Sequence, residues 1–437
     1  MSEAIPLYDT VIIGAGAAGL AAAAQLARAQ CSVLVLEART RIGGRIFTRA
    51  APALPFPIEL GAEFIHGSAP ATFALAQEAG AAVVDAGGTR LALREGRLSS
   101  RDSGWAELQA LMHAVNAMHE PDLSIEAYLE RYARDPAMQP AVAQIRMLAE
   151  GFDAADPHQA SVRAIAREWT GGGLGGGQYR PAGGYGVLLE SLHRTLESTR
   201  GRVELESIVR AVSWSRGAVE VQGLRPNGVF RVRARRALVT LPLSILKLPE
   251  GSSGAVRFDP PLTAKASALR GLAFGPVIKV VLQFRRAFWE SLEEQAFADA
   301  GFLFAEEAPF RTTWTALPYR VPILTSWVGG PRAARLAASG RDVPGAAVES
   351  VQRLFGSSVD VHRELVATHL HDWQADPFSR GAYSYVAVGG LGAATELAVP
   401  LDDTLYFAGE ATHHEETGTV EAALRSGLHA ARLLLEG

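Results

Sequence analysis

Between residues 8 and 45 the chain reads YDTVIIGAGAAGLAAAAQLARAQCSVLVLEARTRIGGR, a stretch that leaves little choice of fold. The apolar run Val11-Ile12-Ile13 predicts a buried strand. Gly14, Gly16 and Gly19 follow at once, and then a helix of small residues from Ala17 to about Ala29. Each glycine answers a physical need: a tight turn, a backbone close enough to touch a pyrophosphate, and a helix packed hard on its strand. The helix N-terminus offers free N–H groups and the positive end of its dipole to the phosphates. A second strand, Ser32 to Leu36, ends on Glu37, 23 residues after Gly14, where a carboxylate can accept hydrogen bonds from ribose hydroxyls. G-x-G-x-x-G alone is a weak signal. With strand, helix, strand and acid in register it predicts a dinucleotide site, with NAD, NADP and FAD all open.

A length of 437 residues exceeds what one ordinary core organises, so two domains are expected. A net charge of −4 argues against a nucleic-acid partner or an anionic membrane surface, both of which want basic excess. One cysteine, Cys31, excludes an intrachain disulfide framework and a thiolate metal cluster, and no metal site is expected. The first strand starts within a few residues of Met1 and no apolar run reaches the roughly 18 to 20 residues of a membrane span, so a cytoplasmic, soluble protein is expected. The oligomeric state stays open.

Residues 69 to about 178 read as mainly helical. Trp105, Leu108, Leu111, Met112, Val115 and Met118 fall on one helical face, and Ser124 caps a helix over SIEAYLERYAR with Glu126 in its first turn. The glycine-rich run 171–177 reads as a mobile connection. From Arg202 to Leu241 strands dominate; in FRVRARRALVTLPL apolar Phe230, Val232 and Ala234 alternate with arginines that form a solvated face. Pro276 to Phe284 is a buried strand interrupted by one charge, Lys279. A lone lysine in VIKVV is costly to bury charged, which disfavours its ammonium form.

These segments resemble the flavin-containing amine oxidases, the group of monoamine oxidases, polyamine oxidases and flavin histone demethylases. Glu37-Ala38-Arg39 with Gly43-Gly44-Arg45 is similar to that family's E-A-R-x-R-x-G-G-R signature, and Gly61-Ala62-Glu63-Phe64-Ile65-His66-Gly67 to the loop beside its isoalloxazine. Thr240-Leu241-Pro242-Leu243 resembles its T-x-P-L strand end, Gly275 to Lys279 the strand presenting its flavin-facing lysine, and Phe407-Ala408-Gly409-Glu410 the strand closing on ribityl and pyrophosphate. Trp373 and Tyr383 match its W-x9-Y segment. The resemblance implies an α/β fold: a discontinuous Rossmann-type FAD-binding domain (1–68, 180–262, 384–437) with a mixed α+β substrate-binding domain (69–179, 263–383). It assigns FAD to Gly14, Gly16, Ala18, Gly19, Glu37, Ala38, Arg39, Gly44, Arg45, Gly61, Ala62, Glu63, Val209, Trp373, Gly409, Glu410, Thr419 and Val420. The implied reaction moves a hydride from a substrate Cα–N bond to flavin N5. The imine hydrolyses to aldehyde and amine, and dioxygen becomes hydrogen peroxide. Lys279, Tyr383, His66 and Thr419 carry the catalytic expectation, with Lys279 holding a water near flavin N5 and Tyr383 forming an aromatic wall that favours an amine.

Departures refine this. Ala382 stands where mammalian monoamine oxidases carry the cysteine bonded to flavin, so a non-covalent flavin is expected. Thr419 replaces their second tyrosine, as in polyamine oxidases and the demethylases, and His66 matches a histidine of animal polyamine oxidases. Phe64 stands where L-amino-acid oxidases hold the substrate carboxylate with arginine, and Glu63 is expected to repel a carboxylate and attract an ammonium. Glu306-Glu307 and Glu415-Glu416 are secondary candidates for distal ammonium groups, while His413-His414 lack metal-ligand spacing. Polyamines or related amines are therefore the expected substrates. Monoamine oxidation, an amine dehydrogenase with another acceptor, a flavin desaturase acting on a C–C bond, and a flavoprotein without catalysis are the alternatives.

Overall fold

The structure, a computed structural model, describes residues 7–51, 54, 56–100, 105–173 and 176–437. The opening unit forms as its pattern demands: strand Leu7–Ile13, helix Ala17–Arg28 and strand Val33–Leu36, the strands parallel with Ile13 beside Leu36. They belong to an eight-stranded sheet in the order 201–204, 33–36, 7–13, 228–239, 218–225, 208–215, 257–259, with Leu405–Phe407 pairing in parallel to the end of 228–239. The first helix is almost wholly buried because its alanines let two neighbours come close. The final helix, Val420–Glu436, approaches so near that a Cβ on Gly427 would lie 2.2 Å from Ala18 O. In strand Gly228–Val239, Phe230, Val232 and Ala234 are buried while Arg231, Arg233 and Arg235 face outward, two of them paired with Glu220.

A second, seven-stranded sheet runs 365–370, 277–284, 323–329, 312–315, 300–304, 89–94, 97–100. Strand Val277–Phe284 shows the two-residue period plainly. Ile278, Val280, Leu282 and Phe284 enter a core shared with helices Gly330–Ala338 and Val343–Phe355, while Val277 and Lys279 turn to the opposite side, into a cavity. Helix Trp105–Asn116 buries Leu108, Leu111, Met112 and Val115 as its periodicity requires. The Ser124 hydroxyl accepts from Ala127 N at 3.1 Å, but the α-helix it caps is shorter than expected. It spans Ile125–Leu129 and tightens to a 3-10 turn at Glu130–Tyr132, ahead of the Asp135–Pro136 pair that disfavours helical backbone. Of the glycine-rich run, Leu174 and Gly175 lie outside the described residues; Gly171 and Gly176 line the cavity. Among the described residues no helix is long and apolar enough to cross a membrane.

Candidate active site

One cavity of about 1290 Å³ extends from the glycine turn to the second sheet, beyond the roughly 300–1,000 Å³ typical of a site for one drug-sized molecule. At its first end the wall is largely backbone. Gly14 turns the chain with φ of +111°, and Gly16 faces open space, its nearest neighbour to a would-be Cβ being Gly43 O at 4.0 Å. Gly19, by contrast, does not line the cavity; a Cβ there would sit 2.0 Å from Gly14 O, so its work is to bring helix and strand together. Glu37 is buried, one carboxylate oxygen accepting from Ala15 N at 2.8 Å and the other from Arg39 N at 2.9 Å, which ties the acid to the turn. Arg39 is held by Asp376 (2.8 Å) and Ser379 Oγ (2.7 Å), while its buried Nε has no hydrogen-bond partner among the described residues and remains a spare donor on the cavity wall. Gly44, Ala18, Ala38 and Val209 complete this end. Backbone left open for a phosphate and a spare guanidinium donor fit a dinucleotide.

Further along, Arg45 donates to Glu410 (2.7 Å) and to Ala382 O (2.7 Å), and Glu410 also accepts from Ser384 Oγ (2.5 Å) and Gly418 N (3.1 Å). This ties Gly409-Glu410 to the loops before Tyr383 and before Thr419. Trp373 donates its indole N–H to Leu60 O at 2.9 Å and closes the wall beside Gly61 and Ala62.

Lys279 is buried, yet it is not the unpaired lysine its sequence suggests. Nζ donates to Glu63 Oε2 at 2.6 Å and to Gly61 O at 3.0 Å. Glu63 Oε1 accepts from Arg180 (2.9 and 3.2 Å) and from Trp314 Nε1 (3.1 Å). Burial alone would raise the Glu63 carboxyl, but the Lys279 and Arg180 charges outweigh it and hold it below its ordinary value. Glu63 is thus spoken for by two cations and cannot select substrates as a free carboxylate. Phe64 instead joins an aromatic wall, its ring 5.7 Å from Phe302 and 5.5 Å from Trp314 and stacked under the Arg180 guanidinium.

Tyr383, also lining the cavity, donates its hydroxyl to Phe152 O at 2.6 Å; burial, then the nearby carboxyls, drives its acidity far down, so it stays a neutral phenol. A Cβ on Gly418 would meet the Tyr383 ring at 2.9 Å, so glycine lets the 418–420 loop rest on that ring. Thr419 lines the cavity, with its hydroxyl committed to the backbone. Its hydroxyl accepts from Ala422 N (3.0 Å) and donates to Glu416 O (2.7 Å), capping the final helix; what it leaves the cavity is a small side chain beside Val420. His66 lies edge-on to Phe152 with its Nδ1 3.5 Å from Gln178 Nε2, and burial lowers it to about 4, so the ring is neutral.

A family model for flavin-containing amine oxidoreductases matches residues 17–435. The chain belongs to this family. Polyamine oxidase 2 of Arabidopsis thaliana is 28% identical over 463 residues, covering 97% of this chain and 87% of its own length. Lysine-specific histone demethylase 1 homolog 3 of the same plant is 28% identical over 500 residues, but this chain covers 99% of itself and only 30% of that protein. Among solved structures, wild-type putrescine oxidase bound to putrescine matches with a TM-score of 0.80 at 21% identity, over 99% of this chain and 100% of that one. Cyclohexylamine oxidase from Brevibacterium oxydans IH-35A matches with a TM-score of 0.80 at 20% identity, over 99% of both. These likenesses show the fold: a Rossmann-type FAD-binding domain with a mixed substrate-binding domain.

In this flavin-dependent amine oxidoreductase several cavity groups carry no sequence signal. Asp153 is buried and, among the described residues, accepts from Trp169 Nε1 alone (3.2 Å); burial, with Glu168 nearby, pushes its carboxyl far up. Glu168 has no hydrogen bond or ion pair among the described residues, and burial followed by Glu416 raises it to about 8. Glu416 Oε2 is buried without a hydrogen-bond partner among the described residues, Arg425 standing 3.7 Å away. Of the two acidic pairs, Glu415-Glu416 reaches the cavity while Glu306-Glu307 is exposed elsewhere.

Proposed function

We propose that the chain is an FAD-dependent amine oxidase acting on polyamines or related amines, oxidising a CH–N bond to an imine that water splits into aldehyde and amine. The observation that carries this reading is one continuous cavity running from the glycine cradle past Lys279 to Tyr383, Asp153, Glu168 and Glu416. Held by the Gly14–Gly16 turn, Glu37, Arg39 and Gly44, FAD would supply the two-electron acceptor for the substrate CH–N bond, with dioxygen the final oxidant and hydrogen peroxide the product. The residues 1–68, 180–262 and 384–437 would form the FAD-binding domain, and 69–179 with 263–383 the substrate-binding domain.

The chain's own groups prepare the rest. Asp153, Glu168 and Glu416 are crowded carboxyls short of cations, and an arriving ammonium relieves both their burial and their mutual repulsion. The neutral Tyr383 ring offers its face to the reacting amine, and neutral His66 adds a polar edge without a repelling charge. Polyamine oxidase and putrescine-bound putrescine oxidase among the relatives support a substrate with a second cationic centre. The wall of Phe64, Phe302, Trp314 and Trp327 favours a second reading, oxidation of an arylalkyl monoamine. Cys31, the single cysteine, does not line the cavity and Ala382 does, so the flavin is held non-covalently; acid precipitation should leave all yellow colour in the supernatant.

The test is an anaerobic screen of spermine, spermidine, putrescine, N-acetylated polyamines and arylalkylamines, read by bleaching of the flavin band. Bleaching by the di- and polyamines is expected. Silence across the panel sinks the reading, and bleaching by arylalkylamines alone installs the second one.

A further inference from the structure

Lys279 and Glu63 are 216 positions apart in the chain, and the contact between them is more elaborate than a chance ion pair. Two residues of one short loop grip the same ammonium: Gly61 through its carbonyl (3.0 Å) and Glu63 through Oε2 (2.6 Å). No third acceptor for Nζ exists among the described residues, so its remaining N–H is left to the cavity that Lys279 lines. Glu63 cannot swing away, because its other oxygen is fixed by Arg180 and by the Trp314 indole. Arg180 is fixed in turn by the carbonyls of Thr315 (3.0 Å) and Leu317. Every member is buried or nearly so, with side-chain exposures of 2% for Lys279, 3% for Arg180 and 10% for Glu63.

A buried ion pair is weak evidence for a stabilising role, since apolar side chains of similar volume often serve stability as well or better. Its value here lies in geometry. We propose that Glu63, anchored by Arg180 and Trp314, is the positioning residue that fixes the Lys279 ammonium and aims its one free donor into the cavity. The proposal rests on the amine-oxidase reading for its catalytic consequence, because that reading places the reacting centre in front of Lys279. Removing the carboxylate leaves Lys279 and Arg180 as two buried cations with nothing between them, which favours the neutral, mobile amine. The other carboxyl in electrostatic range, Glu59, is already held by Thr48 Oγ1 (2.8 Å) and Tyr185 N (2.7 Å) and cannot replace Glu63 as a hydrogen-bond partner without breaking both.

The sequence provides an unusually clean way to test this. The chain has only three lysines, Lys247, Lys265 and Lys279, and the first two donate to backbone carbonyls of Leu272 (2.6 Å) and Glu396 (2.8 Å) and do not line the cavity. The purified flavoprotein is treated briefly with acetic anhydride near pH 7.5, which acetylates unprotonated amines, and each lysine is quantified by peptide mass spectrometry. In Glu63→Gln, Lys279, released from its counter-ion, should be acetylated about tenfold faster, with Lys247 and Lys265 unchanged. Glu63→Asp should restore most of the protection. Anaerobic flavin reduction by a reactive amine should slow about tenfold in Glu63→Gln, less than the roughly 10²-fold expected when the Lys279 donor itself is lost, yet be no slower in Lys279→Met/Glu63→Gln than in Lys279→Met alone.

Unchanged Lys279 labelling overturns the proposal. So does a rise shared by all three lysines, which reports general opening, and so does selective labelling with wild-type reduction and reoxidation. If no amine reduces the wild type, the functional reading has failed and the labelling result alone judges the clamp. Should Glu63→Gln not fold, Trp314→Phe removes one anchor of Glu63 without touching a charge, and must shift Lys279 labelling in the same direction.

Discussion

At the glycine end of the cavity the wall is backbone, contributed by residues close together in the chain. At the Lys279 end it is side chains brought from strands, loops and helices hundreds of residues apart. Gly14, Gly16 and Gly44 do their work by lacking a Cβ, so the first end is specified mainly by shape, with the Arg39 guanidinium as an added donor. The second end holds Lys279, Glu63, Arg180, Trp314, Tyr383, Asp153 and Glu168, where charge and hydrogen bonding decide what can enter and react. A cofactor common to many reactions needs only the first kind of wall. A particular substrate needs the second.

Substitutions that treat the two ends alike should therefore fail differently. The largest effect is expected at Gly19. Valine there forces a Cβ to within 2.0 Å of Gly14 O, far beyond the 1–3 kcal/mol typical of an overpacked core, and Gly19→Val should yield protein without flavin and with a sharply lower melting temperature. Gly16→Ala, whose Cβ would enter open space, should fold normally yet bind FAD roughly tenfold more weakly, because it narrows only the cradle. Flavin-to-protein absorbance ratios with thermal melts separate the two; identical behaviour would erase the distinction between packing glycine and cradle glycine. At the other end, Lys279→Met should keep its full flavin and slow the reduction or the reoxidation half-reaction by about 10²-fold, as for loss of one fixed electrostatic partner. Wild-type rates in stopped flow for both half-reactions would remove Lys279 from the chemistry.

A smaller effect should come from the carboxyls. Glu168→Gln is expected to raise KM for a diamine about tenfold, or about 1.4 kcal/mol, with kcat and the KM of a monoamine little changed. In the native protein Glu168 loses its proton near pH 8, so KM for the diamine, taken relative to the monoamine, should fall as pH rises through that value. The glutamine variant should lose this limb. A parallel rise in KM for both amines would show that Glu168 shapes the cavity and does not read a second charge.

The two ends also differ in how far the sequence discloses them. The cradle is written within residues 11–45, so strand, turn, helix and acid are read together, and the one surprise is that Glu37 also braces the turn through Ala15 N. Lys279 was visible as the single charge in an apolar strand of period two, but its counter-ion lies on a loop more than two hundred residues away, and no local pattern pairs them. Asp153 and Glu168 look like ordinary surface acids until the bend after helix Gln139–Gly151 and the end of helix Val162–Glu168 bring them to Tyr383. Thr419 was readable in another way: a threonine directly before VEAALRSGLHAARLLLE is a helix cap, and capping is where its hydroxyl is spent. Local geometry is legible in sequence. The partners of a buried charge are settled by tertiary packing.

The last expected effect, on stability alone, opposes two residues of the same cavity. Burial lowers His66 to about 4 from an ordinary 6.5, so the folded state resists taking up its proton; the stability this confers is complete above pH 6.5 and is lost as pH falls through about 4. Burial raises Glu168 to about 8 from 4.5, so the folded state holds a proton the unfolded chain gives up, and that contribution is complete below pH 4.5 and lost as pH rises through about 8. His66→Asn should therefore flatten the acid limb of the melting curve between pH 6.5 and 4 and leave the alkaline limb alone; Glu168→Gln should do the reverse. Each change should amount to about 1–3 kcal/mol once the solvent reaching these groups through the cavity is allowed for. Thermal melts of the flavin-loaded protein across pH 4–9 decide it. If His66→Asn moves the alkaline limb, or neither variant moves its own, then these groups do not titrate as their burial demands, and the picture of a charge-sensitive end opposed to a mainly shape-specified end has to be redrawn.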